Sequence, residues 1–145
     1  PTRTDHAAVL VARLFDGQLG RAYGTLVDAG TRLRPGEAAT RRAPAVTVTA
    51  REVLQANRPW MDPADALQFF EVVSPGSTNI DRVLKVHEYQ TAGIPAYLVV
   101  DLDRQELIGF TMGLDGTYAS HVGNSSALPV AGTQVQIAWA DLDLL

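Results

Sequence analysis

The segment FFEVVSPGSTNIDRVLKVHEYQTAGIPAYLVVD, residues 69–101, constrains the fold more than any other part of the chain. It opens inside an apolar run, residues 66–73, that reads as a central strand. Pro75-Gly76 ends the run, and Ser77, Thr78 and Asn79 carry oxygens suited to capping a helix N-terminus. Residues 80–92 then follow helical spacing, with Gly93 placed as a C′ glycine and Pro95 just beyond. Residues 97–100 form a continuous apolar run, the pattern of a strand covered on both faces. Strand, helix and strand at this spacing predict a βαβ unit with parallel strands and a right-handed crossover.

The flanking sequence adds one helix and several strands. Ala7, Leu10, Val11, Leu14 and Phe15 repeat at helical spacing over residues 5–19, and Gly20 is a natural stop. Residues 22–27 and 31–33 read as a hairpin about Asp28-Ala29-Gly30. RPGEAATRRAP reads as a loop, residues 45–49 as an alternating strand, and residues 51–56 as a helical turn. NRPWMDPAD is a further loop, in which Trp60 reads as a packing lid rather than a ligand platform. Residues 107–112, 117–122 and 134–139 predict an antiparallel meander. The order implies an α/β chain of mixed α+β character: a mixed sheet flanked by helices, with a trailing β meander, in one domain over residues 1–145.

Composition narrows the function. At 46% hydrophobic and 19% charged residues the chain is a folded protein rather than a disordered one. No apolar run reaches the ~20 residues of a membrane span. No basic segment leads into an apolar one as in a signal peptide, so a cytoplasmic location fits. The absence of cysteine excludes disulfides and thiolate metal sites. A net charge of −4 argues against a broad basic face for nucleic acid, although Arg32, Arg34, Arg41 and Arg42 form a local cluster.

Glu71 is the anomaly, a carboxylate in a strand that should be buried. Simple alternation places it on the same face as Leu67, Phe69 and Val73. The helical period puts Ile80, Val83, Leu84 and His87 on the buried stripe, with Asp81, Lys85 and Glu88 on its flank. Lys85, the only lysine, can therefore approach Glu71. Two readings stay open. Either the two form a semi-buried ion pair braced by Asp81, or Glu71 binds a divalent metal while Lys85 orients a water or stabilises charge on a phosphate. His87 reads as a core histidine, His6 as a surface cap at the start of the first helix, and His121 has no evident partner. Ser74 precedes Pro75-Gly76 but lacks the glycines of a nucleophile elbow, and SPGST lacks the lysine of a P-loop.

The same segment resembles the signature of the Uma-type putative restriction endonuclease family, a branch of the PD-(D/E)XK nuclease superfamily. The matching positions are Glu71, Ser74, Pro75, Asp81, Lys85, Tyr89, Ala92, Gly93, Ile94, Pro95 and Asp101. PTRTDHAAVLVARL, GTLVDAGTRL, APAVTVTAREVL and LPVAGTQVQIAW are similar to other family elements. The resemblance implies a restriction-endonuclease-like αβββαβ core and hydrolysis of DNA phosphodiesters with Mg²⁺ or Mn²⁺. It makes Glu71 a metal ligand and catalytic residue, Lys85 a catalytic residue, and Asp81, Tyr89, Ser74 and Asp101 supporting residues. A homodimer through exposed sheet edges is a further expectation. Two departures stand out. The family's metal-binding Asp after Pro is replaced by Ala45, and the Asp four residues before the Glu by Leu67. Asp65 is no substitute, since six strand residues put it roughly 20 Å away, whereas Asp28 and Asp101 belong to other strands. A family segment expected before the first helix lies outside this chain. The departures imply an impaired nuclease, or a dead one that needs no cofactor and serves as a binding or assembly module.

Overall fold

The computed structural model describes residues 3–33, 41–73 and 79–142. Helix α1, Arg3–Gln18, leads into β1, Tyr23–Val27. Two short strands follow, β2 at Thr31–Arg32 and β3 at Arg41–Arg42, and then β4, Val46–Ala50. Helix α2, Arg51–Gln55, precedes β5, Ala66–Val73. The crossover helix α3, Asn79–Ala92, connects β5 to β6, Ala96–Asp101. Strands β7, Glu106–Met112, β8, Tyr118–Gly123, β9, Ser125–Val130, and β10, Thr133–Ala138, complete the chain.

Six strands form one sheet in the order β1-β4-β5-β6-β7-β8. Only the β5–β6 pair is parallel, with Glu71 beside Val99 and Val73 beside Asp101. The other neighbours are antiparallel, so the sheet is mixed, as expected of the βαβ unit set among hairpins. Gly93 closes α3 at φ +81°, a left-handed geometry that glycine adopts without strain.

One face of the sheet is covered by α1, whose Ala7, Ala8, Val11, Ala12 and Phe15 meet Val46, Val48, Phe70, Leu98 and Val100. The trailing β9–β10 ribbon joins the same cluster through Leu128, Val130, Val135 and Ile137. It lies close over β7 because Gly109 has no side chain: a Cβ there would fall 2.7 Å from Ser126 Oγ. The opposite face packs against α3 through Phe69, Tyr89, Ile94, Tyr97 and Val99.

Four expectations need correction. The predicted hairpin of residues 22–27 and 31–33 does not form: β1 pairs with β4, and β2 pairs with β3 inside the supposed loop. The last predicted strand leaves the meander, because β10 pairs with β9 in a separate ribbon. Val83, Leu84 and His87 are exposed, Val83 at 70%, so the covered stripe of α3 runs instead through Lys85, Val86 and Tyr89. Leu67 does not share a face with Glu71. Pairing of β4 with β5 jumps from Val48↔Gln68 to Thr49↔Ala66, leaving Leu67 out as a bulge. Leu67 then packs toward the α1 cluster, while Ala66 and Phe69 both belong to the α3 cluster.

Candidate functional site

Glu71 points from β5 toward α3 and is 7% exposed. Two residues of α3, one turn apart, reach it. Lys85 Nζ donates to Oε2 at 2.9 Å and the Tyr89 hydroxyl donates to Oε1 at 2.7 Å. Their i,i+4 spacing puts both donors on one helix face. This arrangement answers the cost of the buried carboxylate: each oxygen has a partner, one of them cationic. Burial and the Glu71 charge push the Tyr89 hydroxyl far above its ordinary value, which keeps it a donor. Tyr89 is further fixed by edge-on contacts with Phe69, centroids 4.8 Å apart, and with Tyr97 at 4.9 Å.

Asp101 lies at the end of β6, beside Val73. Its Oδ1 accepts from the Arg104 backbone N–H at 3.0 Å, and its Oδ2 is 3.6 Å from the Arg82 guanidinium. Glu88, expected beside Lys85, is instead gripped by Arg42 of β3 in a two-bond fork of 2.7 and 2.8 Å. That fork ties the β2–β3 ribbon to α3. Its second partner lies 46 positions away, so no local pattern reveals it.

A pocket of about 470 Å³ opens between β5, β6, β7 and α3. Its charged lining is Glu71, Arg82, Lys85 and Arg104, and its apolar lining includes Val86, Tyr97, Val99, Ile108 and Phe110. Glu71, Lys85, Tyr89 and Asp101 are thus gathered at one end of the sheet. Ser74 and the side chain of Asp81 lie outside the described residues. Ala45 follows the last β4–β5 pair, Val46↔Phe70, but it packs against the α1 cluster and does not line the pocket. Asp28 lines a different pocket with Trp60, and Asp65 is held by Arg58 at 2.8 Å. Trp60 lies against the Arg32 guanidinium, 3.6 Å from the ring centre. Sequence reading missed Arg82 and Arg104, whose roles appear only once α3 and the turn after β6 converge.

Hard cations require several oxygen ligands facing one point. Both Glu71 oxygens already accept from protein donors, and the remaining charged groups of the pocket are cations. No three His, Cys, Asp or Glu side chains cluster among the described residues. The described donor set as it stands does not fit a divalent ion.

The scaffold, an αβββαβ core with an acid on its central strand and a lysine on the crossover helix, is that of a restriction-endonuclease-like nuclease. A solved structure described as a putative nuclease belonging to DUF820 from Anabaena variabilis shares the fold, with a TM-score of 0.71 at 11% identity, covering 100% of this chain and 83% of that one. The family model Uma2, "Putative restriction endonuclease", matches residues 1–140, and the chain belongs to that family. No match was found among curated proteins. No helix among the described residues is long and apolar enough to cross a membrane.

Proposed function

We propose that this Uma2 chain keeps the nuclease scaffold as a DNA-binding module in which phosphodiester hydrolysis is impaired. The observation that carries this reading is the engagement of Glu71 by both Lys85 and Tyr89. The residues assigned to catalysis by family resemblance, Glu71 and Lys85, neutralise each other. The position assigned to a second metal-binding acid is Ala45. Tyr89 and Asp101 act as supports, Tyr89 by holding the carboxylate and Asp101 by bracing Arg82 and the Arg104 backbone. Ser74 and Asp81 complete the supporting set by resemblance alone. Arg82 and Arg104 in the pocket lining supply attraction for backbone phosphate.

A second reading, an active Mg²⁺- or Mn²⁺-dependent endonuclease, is favoured by the pocket that Glu71 and Lys85 share. One assay separates the two. Supercoiled plasmid is incubated with the protein and either ion, and binding is followed in parallel by gel shift. The expected result is salt-sensitive binding without nicking above background. Metal-dependent nicking that Glu71→Gln abolishes would install the second reading, and failure to shift DNA even at low salt would remove the first. β8 is an exposed edge strand through which two copies can pair. Sedimentation as a monomer at high concentration would exclude that homodimer.

A further inference from the structure

The geometry points to an additional ligand for the Glu71 pocket: a small organic anion with a planar apolar body, of the chemistry of a nucleoside monophosphate, bound without a metal ion. The volume of about 470 Å³ falls in the range of small-molecule sites. Its floor is apolar, with Tyr97 and Phe110 stacked at 5.5 Å and 19° beside Val99 and Ile108. Its rim is cationic. Lys85 is committed to Glu71 and Arg82 leans on Asp101. Arg104 differs. Its backbone is pinned by Asp101, its exposed side chain lines the pocket, and no carboxylate of the described residues is paired with its guanidinium. A planar guanidinium is matched to phosphate or carboxylate in a two-bond fork. An apolar floor with an uncompensated cation at its edge therefore complements an aromatic body carrying an anionic group. A paired base of duplex DNA cannot enter such a pocket, so this inference goes beyond the DNA-binding reading and does not rest on it.

The test is calorimetric titration of the protein in EDTA with AMP, adenosine, inorganic phosphate and a 5′-phosphorylated trinucleotide. AMP is expected to bind, with adenosine and phosphate each at least about tenfold weaker, because each keeps only half of the complementarity. Arg104→Ala should weaken AMP about tenfold, Arg104→Glu should abolish binding, and Arg104→Lys should retain most of it. All three variants should melt with the parent, because the side chain is exposed. The inference is overturned if AMP gives no heat at millimolar concentration or binds Arg104→Glu unchanged. It also fails if AMP needs added Mg²⁺, or if only the trinucleotide binds, which would return the pocket to strand ends. AMP binding to the parent protein is read by calorimetry, and plasmid binding and nicking are read separately by gel, so either idea can fail while the other stands.

Discussion

The two faces of β5 are built on different principles. Toward α1, Phe70 is fully buried among Val46, Val48, Leu98, Val100, Val11 and Phe15, and the face is closed by apolar contact. Toward α3, the next side chain along, Glu71, is surrounded by Lys85, Tyr89 and a cavity. The first face supplies stability through burial. The second exchanges part of that packing for directed hydrogen bonds and open volume, while Val83 and Leu84 of α3 remain outside. The lesson is that the closed face holds the strand still enough for the open face to keep charges in place.

The largest effect should come from the closed face. Phe70→Ala removes a fully buried ring and should cost about 3–5 kcal/mol, read from denaturant unfolding. A cost below about 1 kcal/mol would erase the contrast between the faces. Next, Lys85→Met strands the Glu71 carboxylate and should cost about 2–3 kcal/mol, less than a fully buried pair because Lys85 is 26% exposed. Adding Glu71→Gln should restore part of that loss, and a double variant no better than the single would sink the ion-pair account. Tyr89→Phe leaves Oε1 without its neutral donor and should cost about 1–2 kcal/mol.

The same tyrosine gives a pH dependence. Its folded value lies above the ordinary 10.0, so the folded state holds the proton more tightly than the unfolded chain. The stabilisation is complete below pH 10 and is lost as pH rises beyond it. Melting temperature should fall on the alkaline side, less steeply in Tyr89→Phe, with Tyr118, also shifted upward by burial, accounting for part of the remainder. Parallel curves for the two proteins would refute this. Smallest of all, Val83→Ser should change stability by no more than about 0.5 kcal/mol.

The βαβ unit was legible because its signals are local: apolar runs, the Pro75-Gly76 break, helical spacing and the Gly93 and Pro95 stop within one segment. The approach of Lys85 to Glu71 was legible for the same reason, whereas Tyr89 entered only through family resemblance and its bond to Glu71 was not foreseen. The phase of α3 was misread because Val83 and Leu84 are apolar yet exposed, while the covered stripe carries Lys85 and a hydroxyl. The first hairpin was misread because Asp28-Ala29-Gly30 does turn the chain, but β1 takes β4 as its partner rather than the residues next in sequence. Leu67 was misplaced because period-two alternation assumes an unbroken ladder. The ion pairs of Arg42 with Glu88 and of Arg82 with Asp101 were invisible, as these partners are set by tertiary approach.

The bare backbone at Gly109 has a consequence for behaviour in solution. A methyl group there would push Ser126 Oγ and the end of Leu128 aside and loosen the seat of the β9–β10 flap on the strand beneath it. Leu128 and its apolar neighbours would then meet water more often, and the molecule would acquire an adhesive underside. Gly109→Ala should therefore betray itself first as turbidity and concentration-dependent light scattering, before any change around Glu71.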